Sequence, residues 1–505
     1  MASFGHAFMQ APHRMSDCLT ISKNVIIKSQ DIESRGLIMA YIVGIDRNQT
    51  RMVTTSLDAL IDEDNSVRVI DAYVDSLDLI ELGFKEYSGT NRGQAPYRRS
   101  DLLKLHIYGY LNKIRSSRSL EIECKRNLEL MWLINAITPD HGTIAGFVKN
   151  NRKAFHVTLR NLTLILKGWG LIDGKLIAID GTKIRAQNSK HNCITKSGLD
   201  KKIAYADEQI NAYLMALEKD SQCEPEFKKK LEDYQELKKQ YLQQKQELSN
   251  EGLEQKSLTD PDSRRMKNNG SLDICYNVQS AVDAQNHFVI DISTTNDIND
   301  QNQLYIMAKD ASDLLETEEC TVVADTGYYN ASEIKNCLDD GITVLIKKAK
   351  ANNSTKDNEF RKDKFKYDPE KDVYICPAEQ QLYFFENTSK NGMKYKKYKC
   401  NSCSSCKYKN KCTSSKSGRT LQRWEHEAVL EAVHEKTWSR NETYKQRRCI
   451  VEHPFGTVKR SLGYSFFLRK RIENVDAEAS SMFIAYNLKR LFAVFSTQEL
   501  IAKFR

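Results

Sequence analysis

The chain has 505 residues, 40% hydrophobic and 28% charged, with a net charge of +9. That length calls for two or three folded units rather than one core, and that composition excludes a disordered chain. No apolar run approaches the ~18–20 residues of a membrane span, and no basic segment followed by an apolar one marks a signal peptide, so a cytoplasmic protein is expected. Thirteen cysteines, an odd number, read as reduced thiols, any cluster of which suits metal better than disulfides. The charge is uneven: residues 391–423 hold ten Lys or Arg and no acid, and residues 444–471 hold eight against one acid, Glu452. One such block is as readily a solvated surface as a binding face. Two, the second surrounding a single carboxylate, point to a polyanion such as DNA.

Residues 1–38 have no clear period, and Met39 offers a second start. From about 60 to 170 the pattern is helical. In "DLLKLHIYGYLNKI" an amphipathic stripe runs through Leu102, Leu105, Tyr108 (or Ile107) and Leu111. "SSRSLEIECKRNLELMWLINAI" predicts a second helix with serine caps, and Pro139-Asp140 predicts the start of a third. Arg115, Arg118, Lys125 and Arg126 are expected exposed between apolar positions, which suits a helix-turn-helix DNA-binding unit and a plain helical bundle equally.

At residue 171 the character changes. "LIDGKLIAID" predicts a strand ending on Asp180, and "YNVQSAVDAQNHFVIDISTT" a hairpin turning at Asp283–Asn286. Helix, strand ("CTVVADTGYY", with Asp325), helix and strand follow, which makes a mixed α/β sheet, antiparallel first and parallel later. Polar helical residues 200–256, broken at "DSQCEP", read as an antiparallel helical hairpin inserted after the first strand. Residues 350–420 are polar, basic and cysteine-rich. The rest is helical again, with a core helix through Ala479, Met482, Phe483 and Tyr486.

Asp180 and Asp325 each end an apolar strand, where open α/β sheets gather ligands. On adjacent strands their like charges would be relieved by a divalent cation held by hard oxygens, Mg²⁺ or Mn²⁺; singly, each is as well explained as the cap of the turn that follows. Glu452 is the candidate third carboxylate. Tyr444, Arg448 and Glu452 recur every four residues on one helix face, and Lys459 lies two turns further if the helix survives Pro454. With Arg447, Arg448, Lys459 and Arg460 nearby, Glu452 suits a metal beside a phosphate backbone, or an ordinary ion pair with Arg448. Among the clustered cysteines, Cys403 and Cys406 form a metal knuckle that Cys412 and Cys376 complete as a Cys₄ set for structural Zn²⁺. Unligated thiols and an iron–sulfur cluster are the alternatives, and Cys400 is a spare or an alternative ligand. No phosphate-cradling loop or dinucleotide fingerprint is present.

Together "AIDGTKIRAQNSK", "NVQSAVDAQNHFVI", "TNDINDQ", "VVADTGYYN" and "RCIVEHPFGTVKR…GY…FFLRKR…AEASSMFIAYNLKRL" resemble bacterial insertion-sequence DDE transposases, most nearly the insertion sequence 1182 group. The likeness runs from about Met39 to Phe495. It implies an α/β fold with an RNase H-like mixed-sheet catalytic core, helical and Cys-rich insertions, and a preceding all-α DNA-binding region. The implied divisions are an extension over 1–38, the helical region over 39–170, and the first part of the core over 171–349 with its helical insertion at about 190–262. A basic Cys-rich insertion over 350–423 and a C-terminal helical part over 424–505 follow. The resemblance makes Asp180, Asp325 and Glu452 the catalytic, metal-holding triad for two Mg²⁺ (or Mn²⁺) about 3.5–4 Å apart. Tyr444, Arg447 or Arg448, and Lys459 match the family's Tyr–Arg–Glu–Lys signature, with Arg460 beside them on DNA. Tyr-to-Arg spacing fits Arg447; Arg-to-Glu spacing fits Arg448. Cys376, Cys403, Cys406 and Cys412 match the insertion's cysteine pattern. The implied activity is binding of terminal inverted repeats, cleavage and strand transfer, by a dimer or higher synaptic oligomer at the nucleoid. The rivals are a structure-selective nuclease without strand transfer and a domesticated, non-catalytic DNA-binding protein.

Overall fold

The computed structural model describes residues 48–49, 54–85, 95–219, 224–268, 270–317, 319–348, 358–390 and 392–505; the expected extension over 1–38 and the second start at Met39 lie outside them. Thr55–Arg505 form one compact unit. Its first helices are α1 (Val67–Asp75), α2 (Arg99–Leu111), α3 (Ser117–Cys124), α4 (Leu128–Leu133), α5 (His141–Asn150) and α6 (Arg152–Gly168). In α6, Ala154, Phe155, Thr158, Leu159, Leu162 and Leu166 recur at three- and four-residue steps and are buried, an amphipathic pattern. Asp140 caps α5 as expected, accepting from the N–H groups of Gly142 (2.8 Å) and Thr143 (3.0 Å).

Three expectations change here. Helix α2 has no solvent stripe: Leu102 to Tyr110 are buried without a break, because α1, α4 and the long helix Ile472–Val494 close around it. Lys104, drawn into this interior, meets Asp71 (2.6 Å) and Asp75 (2.7 Å). The second expected helix divides into α3 and α4, because the Asn127 side chain accepts from the Glu129 (3.0 Å) and Leu130 (3.4 Å) N–H groups and starts a new helix. Arg115 is not exposed. Its guanidinium donates to the Phe466 carbonyl (2.7 Å), pairs with buried Glu478 (3.3 Å) and lies over the Tyr464 ring, so stacking and pairing replace its hydration.

The main sheet contains β1 (Leu176–Arg185), β4 (Arg264–Asn268), β5 (Ser271–Asp283), β6 (Val289–Thr295), β7 (Thr321–Ala324) and β8 (Thr343–Leu345), with α9 (Leu304–Leu315) and α10 (Ala331–Asp339) as crossovers. Its order is β4-β5-β1-β7-β8, with β6 also paired to β5. The β4, β5, β1 and β6 pairings are antiparallel and β1-β7-β8 is parallel, as the sequence predicts. Between β1 and β4, the short strands β2 (Cys193–Thr195) and β3 (Gln255–Ser257) flank the hairpin of α7 (Lys196–Lys219) and α8 (Glu224–Asn250), whose helices meet through Tyr205, Tyr213, Phe227 and Tyr234.

The Cys-rich segment is a second, antiparallel sheet of β9 (Lys366–Asp368), β10 (Val373–Ile375), β11 (Gln381–Lys390), β12 (Met393–Cys400) and β13 (Thr420–Trp424), with one turn of helix, α11 (Lys409–Cys412). It has its own small core around Phe365, Tyr374, Leu382, Tyr398 and Leu421. Helices α12 (Glu427–Ser439), α13 (Asn441–Gly456), α14 (Ile472–Val494) and α15 (Thr497–Phe504) complete the chain. Helix α13 crosses β1, β5 and β7, while α6 and α14 pack on β6. Among the described residues, no helix is long and apolar enough to cross a membrane.

Candidate active site

Register alone brings the two aspartates together. In the parallel β1-β7 ladder Ile179 is opposite Ala324, so Asp180 and Asp325 follow side by side on strands ~4.8 Å apart. Asp180 does not end its strand, as the sequence reading expected. Strand β1 runs on to Arg185 because Gly181–Arg185 pair with Gln279–Cys275 of β5. It is β7 that stops, at Ala324, and uncovers Asp180 on that side. Asp325 does cap a turn, accepting from the Gly327 N–H at 2.7 Å, so the capping explanation and the paired-carboxylate explanation both describe it.

Asp180 accepts from its neighbour Gly181 N–H (2.8 Å) and is approached by the Arg447 guanidinium (3.4 Å). Burial pushes its carboxyl up to about 6; the Gly181 N–H and Arg447 oppose the rise, and the charges of Asp325 and Asp300 add to it. Asp300 is the residue the sequence reading missed. One of its oxygens accepts from Asn277 Nδ2 (2.7 Å), Gln279 Nε2 (2.8 Å) and Lys183 Nζ (3.0 Å). Tyr328, fully buried, donates its hydroxyl to the Gln279 side-chain oxygen Oε1. The network comes so close to β1 that a Cβ on Gly181 would lie 2.5 Å from Gln279 Nε2 and 2.9 Å from Asp300 Oδ1. Only glycine fits. The available signal was parity: Asn277 and Gln279 alternate with apolar residues along β5 and so share one face.

Helix α13 supplies the basic residues. Arg447 faces Asp180, and Tyr444 lies under Lys347, 4.8 Å from Nζ to ring centre. Arg448 turns the other way and pairs with Glu452 at 2.7 Å, both side chains more than 60% exposed. The geometry therefore places Arg447, not Arg448, at the first carboxylate. Glu452 is not gathered with the aspartates. Its helix buries Ile450, Val451 and Pro454, which leaves Glu452 toward solvent and within one turn of Arg448. The helix survives Pro454 and loosens into a π-helical turn at Thr457–Ser461, consistent with the donor that proline removes. Lys459, in that turn, donates to the Lys183 carbonyl at 2.8 Å, and burial pulls its ammonium below the usual range. Arg460 is exposed. His453 is neither a ligand nor a free surface residue: its ring nitrogens meet the Tyr486 hydroxyl (2.8 Å) and Arg490 (3.2 Å) on α14.

Cys376, Cys403, Cys406 and Cys412 line one narrow cavity of about 20 Å³, and Cys400, the spare or alternative ligand, lines it too. The Gln380 N–H donates to Cys376 Sγ (3.3 Å) and the Arg419 N–H to Cys403 Sγ (3.4 Å). All five are free thiols. Burial pushes Cys400 up to about 11, with Cys403 and Cys376 adding to the rise against a backbone N–H. Cys124, Cys275, Cys320 and Cys337 are buried core residues, as expected. Among the described residues, no group of three or more His, Cys, Asp or Glu side chains is placed to hold a metal ion.

Residues 55–150 match a family model described as a transposase domain (DUF772), and residues 375–492 match a transposase DDE domain. The chain is a DDE transposase. The second match takes in the five-stranded sheet from β10 onward and α13 with Arg447, Arg448 and Glu452, but neither aspartate. No curated protein matches the transposase. A cryo-EM structure of a piggyBac transposase synaptic complex with hairpin DNA is similar over 87% of this chain and 79% of that one, at 8% identity and a TM-score of 0.29. That likeness is too slight to carry an argument. As a transposase the protein acts on DNA, and DDE transposases generally use divalent metal ions.

Proposed function

We propose that this transposase belongs to the insertion sequence 1182 group, that its main sheet and α13 form an RNase H-like core, and that it binds the terminal inverted repeats of its element, cuts there and joins the ends to target DNA. The observation that supports this best is the pairing of Asp180 and Asp325 across the β1-β7 ladder with Arg447 beside them.

The donor set fits a divalent cation. Two hard carboxylates stand together, and burial, with the charges of Asp325 and Asp300 adding to it, raises Asp180 to about 6, a cost to its charged form that a bound cation would relieve. Asp180, Asp325 and Glu452 would hold Mg²⁺ or Mn²⁺; the bound metal would activate the attacking oxygen and stabilise the leaving one. Glu452 must exchange Arg448 for the site, a small cost for an exposed pair. Arg447 and Lys459 would grip phosphate near the cut, Lys459 held in place through the Lys183 carbonyl. Tyr444, Arg448 and Arg460 would line the DNA path beside them. Water first attacks phosphorus and releases a 3′-hydroxyl; that hydroxyl then attacks a target phosphodiester, so no enzyme nucleophile is needed. The five thiols, two of them receiving backbone N–H groups, suit soft-ligand Zn²⁺ through Cys376, Cys403, Cys406 and Cys412 as a structural site. A homodimer or larger synaptic oligomer would hold two ends at the nucleoid.

Asp180→Asn and Asp325→Asn test the assignment. Each is expected to bind end-bearing duplex as the unmodified protein does, and to lose cleavage and joining by at least about 10³-fold, the scale of lost preorganised charge stabilisation. Full cleavage by either variant would remove that aspartate from the chemistry. Cleavage without joining, when a pre-cut 3′-end and target plasmid are supplied, would make the protein a nuclease.

A further inference from the structure

The hairpin of α7 and α8 is a long arm that is poorly sealed. Its helices of 24 and 27 residues run about 36–40 Å at 1.5 Å per residue. They pack on each other, and α7 also meets β2 at the root. A small core of Ile194, Leu199 and Leu248 closes that root. Outward from it, among the described residues, Ala206 is the only buried side chain on either helix. Two helices leave open an apolar seam that four would close. The two sides of the seam differ. On one side the ion pairs Asp207–Lys238 (2.6 Å) and Asp200–Lys245 (2.5 Å) bridge the helices. On the other, Lys201, Lys202, Tyr205, Tyr234, Leu237 and Tyr241 line an open groove of about 290 Å³. Asp207 lies two residues from Tyr205, about 200° round the helix, so ion pairs and groove take opposite sides. Tyr205 is 54% and Leu237 37% exposed. Asp233, also exposed, is one turn from Leu237 toward the tip and shares its face.

Charge along the arm names its occupant. The Asp207–Lys238 pair marks the midpoint. Toward the root, residues 196–207 and 238–250 hold six lysines and three acids; toward the tip, residues 208–218 and 225–237 hold three lysines and six acids. Setting aside the bridging pairs, Lys196 with Glu254 and Lys230 with Glu226, the root remains basic and the tip acidic. The two halves cancel, so the arm as a whole offers a polyanion little attraction. A second arm laid antiparallel brings root to tip and offsets both ends, whereas a parallel one opposes like charges. A two-fold axis through the midpoint achieves this with the same face on both copies. A face about 36 Å long and two helices wide, about 20 Å, covers about 700 Å² per copy, close to the ~800 Å² per partner of a stable complex.

We propose that the groove face of the α7-α8 arm is a dimer surface on which the arm of a second copy packs antiparallel, completing a four-helix bundle. Tyr205 then meets Leu237 of the partner subunit, and Lys201 meets Asp233 of the partner subunit. This gives a contact to the homodimer proposed above and rests on no part of the catalytic assignment. The test is light scattering on the full chain without DNA, at micromolar concentration, where the mass should be about twice the 58.1 kDa of one chain. Tyr205→Glu/Leu237→Glu should weaken dimerisation at least about 100-fold by placing charge in the interface, with an unchanged circular dichroism spectrum. Lys201→Glu alone should weaken it about tenfold, and Lys201→Glu/Asp233→Lys should restore it. A monomeric unmodified chain would overturn the proposal, as would a Tyr205→Glu/Leu237→Glu dimer of unchanged affinity or a Lys201→Glu defect that Asp233→Lys does not rescue. Loss of duplex binding by Tyr205→Glu/Leu237→Glu at unchanged mass would also overturn it and give the arm to DNA. Asp180→Asn should stay dimeric; if that dimer still cuts DNA, the catalytic reading falls and this one stands.

Discussion

In the six-stranded sheet, Asp300 takes three hydrogen bonds on one oxygen and Asp180 is met by Arg447; in the five-stranded sheet, Lys394, Ser389 and Asn387 face water. The first sheet spends its polar groups on one another and so holds two carboxylates in a fixed relation before any ligand arrives. The second directs them outward. Chemistry needs the former arrangement, because a misplaced ligand oxygen is costly. Glu452 stands between these cases: it sits on a rigid helix that crosses the first sheet, yet its carboxylate is solvated and paired as a surface group is.

That intermediate position is the sharpest place to break the contrast. Glu452→Gln should abolish cleavage, by at least about 10³-fold, with binding intact. Arg448→Ala, which frees the carboxylate, should instead lower the Mg²⁺ concentration needed for half-maximal cleavage. If Glu452→Gln cuts normally, two aspartates suffice and Glu452 is a surface residue only.

In the five-stranded sheet the largest effect should come from metal. Protein purified without chelator is expected to carry about one zinc atom per chain, and chelation should melt this sheet while leaving the six-stranded one folded. Elemental analysis giving less than about half an atom would sink the Cys₄ proposal.

Packing in the first sheet can be probed at Gly181. Gly181→Ala drives a methyl into Gln279 and Asp300, and should cost about 1–3 kcal/mol of stability in a denaturant titration together with cleavage activity. An unchanged midpoint would mean the network is softer than its three short hydrogen bonds suggest.

The smallest effect is a pH dependence. Because the folded-state carboxyl of Asp180 is raised from 3.8 to about 6, its contribution to metal-free stability is full below its ordinary value and is lost as pH rises through about 6. Metal binding runs the other way, since it needs the carboxylate. The rise in melting temperature caused by Mg²⁺ should therefore be larger at pH 7 than at pH 5, and an equal rise at both would detach Asp180 from the metal.

Much of this site could be read from residues alone. Apolar runs ending in "AID" and "VVAD" marked both aspartates, and the change from antiparallel to parallel pairing followed from the alternation of hairpin and helix. Asp300 could not be read in the same way. "TNDINDQ" offers two aspartates, and only the side chains of β5, a distant segment, select the second. The choice between Arg447 and Arg448 was likewise undecidable from spacing, because each satisfied one half of the signature; the face of α13 that meets β1 puts Arg447, and not Arg448, beside Asp180. Arg115 and the all-round burial of α2 were hidden for a third reason: their partners, Glu478 and α14, lie more than 350 residues away.

That last distance sets an order of events during synthesis. Helix α2 has no solvent face, and part of what covers it is α14, which is made more than 350 residues later. The N-terminal helices must therefore wait, unsealed, until the rest of the chain has been made. A chain that stopped before α14 would leave the part of α2 that α14 covers open to water.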